Sequence, residues 1–210
     1  MNTDLSVLPH DLLWGMPVAD LPADAAAWVV EVVGLGHPLV VRRAQVTEGW
    51  VAVGVRGHSR DQRYATVMKR ADITRRVQPE QLVDAVDHCK SDWPALRALK
   101  QIRPLMDALG LPWGVAGSAG FELATGHEVL HRDSDLDLIL RSEQPFSRQH
   151  AAEWVTALDR AVCRIDLQLQ TPCGAVALRE WAGASRHVLL KAADGARLVS
   201  NPWQVQECAA

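Results

Sequence analysis

The sequence predicts an α+β protein in two parts: a small β-rich domain over residues 1–78, then a larger domain over 79–210 with a mixed sheet and helices. Three observations lead there. Apolar runs broken by glycine and proline turns crowd the first third; a proline at position 79 opens a helical stretch; and beyond it, segments of period-two alternation flank a segment of helical period. With 210 residues and 48% hydrophobic content, the chain can bury a substantial core as one large domain or two small ones. The change of pattern near residue 78 favours two.

In the first part, strands are expected at Trp28–Val33, Leu39–Ala44 and Trp50–Arg56, with turns across Gly34 to Pro38 and around Gly57. After Pro79, Leu82, Val83 and Val86, and beyond Pro94 Leu96, Leu99, Ile102 and Leu105, supply helical apolar positions. Pro94 and Pro104 leave the segmentation of these helices open. Trp113–Ala116 reads as a short strand, Gly117 and Ser118 as a turn, and Ala119–Thr125 as a short helix whose first N–H groups can meet phosphate. A strand follows over Asp135–Leu140. Ser147 can cap a helix running to about Val162, with Ala151, Trp154, Val155, Leu158 and Val162 at helical spacing. Arg164–Gln170 alternates as a strand, and further short strands are expected at Gly174–Leu178 and His187–Leu190.

The chemistry concentrates in three of these segments. In a strand, Asp135 and Asp137 point to one face while Leu136, Leu138 and Leu140 point to the other. The next strand places Asp166 with Gln168 and Gln170, opposite Ile165, Leu167 and Leu169, so a third carboxylate can join the pair. Clustered carboxylates repel each other, and a hard divalent cation with oxygen ligands relieves that repulsion; Mg²⁺ takes its remaining ligands from water and substrate phosphates. Two such ions about 3.5–4 Å apart can stabilise both the attacking and the leaving oxygen of an in-line displacement. Asp135, Asp137 and Asp166 are therefore the expected metal ligands and catalytic residues for two Mg²⁺ ions, and Gly117 and Ser118 the expected phosphate grip. A solvated strand face is the plainer reading of a lone Asp-x-Asp. Asp166 and the upstream Gly-Ser turn count against it.

These elements resemble the polymerase-β-like nucleotidyltransferase superfamily, whose Gly-Ser and Asp-x-Asp elements match Gly117, Ser118, Asp135 and Asp137, and whose third carboxylate matches Asp166. The match covers about residues 111–170, with a longer connection between Ser118 and Asp135 than compact members show. More narrowly, the run from Trp113 to Gly126, with His131 to Leu138, is similar to the phosphoribosyl-dephospho-CoA transferases of the malonate decarboxylase system. That likeness extends along the chain, including Pro38–Arg43 and Val51–Gly57. The resemblance implies transfer of a phosphoribosyl-dephospho-CoA unit from 2′-(5″-triphosphoribosyl)-3′-dephospho-CoA to a serine of the acyl carrier protein subunit, with release of diphosphate. It makes Asp135 and Asp137 the catalytic aspartates; Asp166 rests on superfamily logic and the strand pattern. Enzyme alternatives within the same fold are a small-molecule or tRNA nucleotidyltransferase using a nucleoside triphosphate. A non-catalytic carrier-binding or nucleotide-sensing module is the reading from another class.

Composition narrows the partners. A net charge of −3 and a pI near 6.2 argue against broad nucleic-acid binding. No apolar run reaches the roughly 20 residues needed to span a bilayer, and the four cysteines form no Cys-x-x-Cys pair. With no charged start followed by a long apolar run, the expectation is a reduced, cytoplasmic protein. Eighteen of the 22 cationic residues are arginine, whose planar fork suits phosphate but which also follows from genomic composition.

Several motifs compete. His127-Glu128-Val129-Leu130-His131 fits a zinc hydrolase pattern that requires a helix, yet Gly126 precedes it and Asp135 follows closely, so a loop leading into Asp135 is expected, with His131 and Arg132 near the phosphates or simply solvated. Asp133 to Asp137 resembles the opening of a calcium loop, but Leu138 and Gln144 stand where Gly and Glu are needed. Gly34-Leu35-Gly36 lacks the third glycine of a dinucleotide fingerprint. The basic stretch from Arg56 through Arg60 to Arg63 can grip donor phosphate or an acidic carrier, or form a solvated hairpin connection. Most of the eight Trp are expected in the core; a ring that stacks on adenine is the alternative, with Trp14, Trp93, Trp113 and Trp203 unassigned.

Overall fold

A computed structural model describes residues 7–59 and 61–204. The chain divides into two compact units, the first ending at Gln78 and the second beginning at Pro79.

The first unit contains β1 (Leu12–Trp14), α1 (Ala27–Gly34), β2 (Leu39–Val41), β3 (Trp50–Arg56), β4 (Arg63–Lys69) and β5 (Arg75–Val77). Its sheet is antiparallel, in the order β4-β3-β2-β1-β5. Leu13, Val29, Val32, Leu39, Val53, Val55 and Met68 form the core. At the base of β1, fully buried Asp11 accepts from the Leu8 N–H at 2.9 Å and from Arg76 Nε on β5 at 2.6 Å. That ion pair offsets the cost of enclosing a carboxylate.

Residues Trp28–Val33, expected as a strand, lie inside helix α1. The run of valines has high strand propensity, but Val29, Val32 and Val33 stand at helical spacing and are buried, whereas Val30 is 40% exposed. Packing of that one stripe outweighs local preference. The expected strand Leu39–Ala44 stops at Val41, Trp50–Arg56 is β3 as read, and β1, β4 and β5 were not anticipated.

The second unit opens with two 3-10 turns, Pro79–Leu82 and Asp84–His88. Then come α2 (Pro94–Asp107), β6 (Trp113–Val115), α3 (Gly117–Thr125), β7 (Leu136–Arg141), α4 (Arg148–Leu158), β8 (Ile165–Thr171), β9 (Gly174–Ala177), α5 (Leu178–Ala182), β10 (Val188–Ala192) and β11 (Gly195–Val199). The sheet order is β11-β10-β9-β8-β7-β6; β7 and β8 are parallel and every other pair is antiparallel. It is a mixed sheet with helices, separate from the antiparallel sheet of the first unit.

The parallel pair exists because α4 carries the chain from the end of β7 back to the start of β8. Ser147 caps α4, its hydroxyl accepting from the His150 N–H at 3.1 Å. The helix ends at Leu158 and not near Val162, which is 58% exposed and has no core to join. Pro94 sits in the first turn of α2, and Pro104 is accommodated within it near its C-terminal end. The expected strand Gly174–Leu178 is β9, with Leu178 already opening α5. No helix among the described residues is long and apolar enough to cross a membrane.

β6 is pressed between neighbours. A Cβ on Gly114 would lie 2.2 Å from the Pro79 carbonyl carbon and 2.4 Å from the Glu80 nitrogen, both backbone atoms. The first 3-10 turn can cross the sheet there only over glycine. Gly114→Ala is expected to cost about 1–3 kcal/mol, the usual range for overpacking, read as a lowered urea midpoint with an unchanged slope; an unaltered midpoint would mean that the turn is not seated on β6.

Candidate active site

The site grows from the junction of β6 and α3. The Ala116 N–H donates to the Asp137 carbonyl at 2.9 Å, which extends the β6–β7 ladder by one step before the chain turns into the helix. Gly117 takes φ +59°, and a Cβ there would lie 1.8 Å from Asp137 Oδ2. Only glycine serves both the backbone and the space, so its conformation and the placement of the Asp137 carboxylate are one constraint. No side chain caps α3 at Ala116. The first turn, with Ser118 half-buried, thus keeps the anion-attracting character of a helix start.

Asp137 faces Asp166 directly, because the parallel register pairs Leu136 with Ile165, Asp137 with Asp166 and Leu138 with Leu167. Asp135 lies one residue before β7, where the Leu136 N–H still donates to the Arg164 carbonyl at 2.9 Å. The alternation continues across that edge: Asp135 and Asp137 are half-buried, and Leu136 and Leu138 are buried. The expected Gly117, Ser118, Asp135, Asp137 and Asp166 therefore share one corner of the second unit.

Among the described residues, no three His, Cys, Asp or Glu side chains converge as a ready-made metal cage. The donor set still fits Mg²⁺. Asp137 and Asp166 occupy facing positions on strands about 4.8 Å apart, and this ion commonly takes one or two carboxylates and completes its shell with water and phosphate oxygens.

Charge around the corner is uneven. Burial pushes the Cys163 thiol up, and the nearby Asp135 carboxylate adds to the shift. Arg179 Nη2 donates to Asp159 Oδ1 at 2.5 Å, which holds the Asp159 carboxyl below its ordinary value and raises the guanidinium; Asp166 adds a smaller pull on Arg179.

The connection from α3 to β7 is a loop. His127 to His131 contain no helix, so their imidazoles are not set one turn apart as the zinc pattern requires. The loop is held by its own bonds: the His131 N–H donates to Ser134 Oγ at 3.0 Å, the Ser134 N–H to the His131 carbonyl at 3.1 Å, and the Asp133 N–H to His131 Nδ1 at 3.2 Å. It is also tied to α3 by a residue that sequence reasoning missed. Glu122, 3% exposed, accepts the Val129 and Leu130 N–H groups through Oε2 at 2.9 Å each. Its Oε1 is buried without a partner among the described residues. The signal was present as a lone carboxylate inside the apolar run from Ala119 to Ala124.

The arginines divide between the units. Arg132 is exposed in the turn before Asp135, within the second unit. Arg56 and Arg63 are facing partners at the end of the β3–β4 hairpin in the first unit. Arg60 lies outside the described residues. The hairpin closes with the Gly57 N–H on the Gln62 carbonyl at 3.0 Å. Trp113 and Trp203 are buried, with Nε1 atoms donating to Asp107 at 2.9 Å and to the Ser142 carbonyl at 2.7 Å, while Trp14 stacks under Arg75 at 4.5 Å. These three rings have structural partners.

Residues 81–202 match the family model described as phosphoribosyl-dephospho-CoA transferase MdcG C-terminal domain, and residues 8–79 match that of the N-terminal domain. The chain is 60% identical over 204 residues to a phosphoribosyl-dephospho-CoA transferase of Pseudomonas syringae pv. tomato, covering 97% of each chain. It is 55% identical over 202 residues to the protein of the same name from Pseudomonas putida, covering 96% of this chain and 98% of that one. No solved structure matches.

Two substitutions test this corner. Gly117→Ala, strained at φ +59° and crowding Asp137, should lower the melting temperature while still folding and lower turnover by roughly 10²-fold, the scale of an ångström's misplacement at a reacting centre; kinetics with a melting curve will show it, and near-normal turnover would remove the Gly117–Asp137 contact from the site. Glu122→Ala leaves two backbone N–H groups without their acceptor, at about 1–3 kcal/mol each, so its denaturation midpoint should fall clearly. An unchanged midpoint would show that the loop is held by its own bonds alone.

Proposed function

We propose, because this chain belongs to the phosphoribosyl-dephospho-CoA transferase family, that it transfers a phosphoribosyl-dephospho-CoA unit from 2′-(5″-triphosphoribosyl)-3′-dephospho-CoA to a serine of the acyl carrier protein subunit of malonate decarboxylase in the cytoplasm. The observation that carries the reading is the facing pair Asp137 and Asp166, with Gly117 against the Asp137 carboxylate at the start of α3. We read the second unit as a nucleotidyltransferase domain of the polymerase-β-like kind on that basis.

In this scheme the serine oxygen bonds to the α-phosphorus of the donor's triphosphate, the bond from that phosphorus to the bridging oxygen of the β-phosphate breaks, and diphosphate leaves. Asp166 accepts the serine proton. Gly117 and Ser118 seat the triphosphate at the opening turn of α3, where backbone N–H groups and the helix dipole favour negative charge. Asp135, Asp137 and Asp166 would hold Mg²⁺, two ions on this reading, and the bound ions would supply neutralisation of polyphosphate charge. Arg132, exposed just before Asp135, is assigned to the phosphates in this scheme. Arg56, Arg60 and Arg63 serve as the docking surface for an acidic carrier.

Mass spectrometry of the apo carrier incubated with enzyme, donor and Mg²⁺ tests the class: a phosphoribosyl-dephospho-CoA adduct is expected. Transfer of a nucleotide from a nucleoside triphosphate in its place would overturn the substrate assignment. Asp137→Asn should lower transfer by several powers of ten, on the order of 4 kcal/mol or more at about 1.4 kcal/mol per decade, with the fold retained. Normal turnover by that variant at saturating Mg²⁺ would refute its role. Charge reversal at Arg56 and Arg63 should raise the Michaelis constant for carrier more than for donor, increasingly so at low salt; a collapse of donor affinity would assign the hairpin to the nucleotide.

A further inference from the structure

A depression of about 420 Å³ opens at the turn between α4 and β8, lined by Asp159, Ala161, Cys163, Arg164 and Arg179. Its size falls within the ~300–1,000 Å³ range of small-ligand sites, and three of the five residues lining it carry charge. It borders the carboxylate corner. Arg164 stands beside Asp135 where the parallel pair begins, since its carbonyl accepts the Leu136 N–H at 2.9 Å. From within the depression, Cys163 senses the charge of Asp135 and Arg179 that of Asp166.

Both arginines have donors to spare. Arg164 is exposed and makes no ion pair among the described residues, although Asp135 is its neighbour across the strands. Arg179 commits a single nitrogen to Asp159. A guanidinium presents five N–H donors in a rigid plane, a shape that matches phosphate oxygens two at a time. An unpaired guanidinium and a largely uncommitted one, on the rim of one recess beside a proposed phosphoryl-transfer site, form a receptor for phosphate and not for an apolar group or a base.

We propose that Arg164 and Arg179 form an anionic subsite that binds a di- or triphosphate chain alongside the carboxylates. The assignment rests on the reading of the donor as a polyphosphate. Two parts of such a donor carry that chemistry, the triphosphate that reacts and the diphosphate within the dephospho-CoA portion.

Cys163 is a built-in reporter, because it lines the recess and is a free thiol. The full-length protein would be alkylated with N-ethylmaleimide under mildly alkaline conditions, with and without Mg²⁺, and modification of Cys163 followed by peptide mass spectrometry. Inorganic tripolyphosphate and dephospho-CoA are added in separate arms. Slower alkylation of Cys163 is expected in at least one, and the arm that protects identifies which phosphate chain occupies the subsite. Arg164→Ala and Arg179→Ala should each abolish that protection and weaken binding of the protecting compound roughly tenfold or more, the worth of a charge-assisted hydrogen bond. Should Arg179→Ala unfold through loss of its bond to Asp159, exposed and unpaired Arg164 decides the matter. Unchanged alkylation in both arms in the presence of Mg²⁺, or full protection retained by Arg164→Ala, would overturn the proposal. The readout is independent of transfer: protection without a carrier adduct would leave the subsite standing and remove the transferase scheme, and an adduct without protection would do the reverse.

Discussion

The site depends on the parallel register of β7 and β8. Pairing Leu136 with Ile165 sets Asp137 opposite Asp166 and keeps the leucines of both strands on the covered face. A slip of one residue would exchange those faces, exposing leucine and burying carboxylate, so the apolar layer specifies the register and the register brings the charges together. The crossover through α4, started by the Ser147 cap and completed over its buried Ala151, Trp154 and Leu158, is what makes the pair parallel.

A second set of contacts fastens the other half of the corner to that pair. The Ala116 N–H on the Asp137 carbonyl and the Gly117 backbone against the Asp137 carboxylate lock the start of α3 onto β7. Five residues later the same helix carries Glu122, which holds the loop that leads into Asp135. One short helix thus touches the strand from its first residue and governs the approach to it from its middle. The buried Oε1 of Glu122, unpartnered among the described residues, makes this arrangement costly in a protein interior, and the two backbone bonds accepted by its companion oxygen offset part of that cost.

Legibility in the sequence varied with how local the cause was. The alternation around Asp135, Asp137 and Asp166 could be read because a strand with one buried face writes its period directly into the residues. The Ser147 cap was legible for a similar reason, following from the chemistry of one residue, whereas Gly117 and Ser118, read as a turn ahead of the helix, already belong to α3. Helix α1 was misread as a strand, since β-branched residues favour extended backbone until a neighbouring sheet offers their helical stripe a surface to cover. Strands β1 and β5 are three residues each, too short to show a period. Glu122 was invisible as an anchor because its partners, Val129 and Leu130, are backbone groups that no side-chain pattern records.

The sequence by itself determined which residues could carry the chemistry and which face of each strand they would share, because side-chain direction along a strand is a local property. Only the tertiary structure decided that Asp137 and Asp166 are partners in register, that Asp137 occupies the space a Cβ on Gly117 would take, and that Arg164 and Arg179 rim a common recess. Those relations join residues separated by tens of positions. They follow from strand order and close backbone approach, which local propensity does not encode.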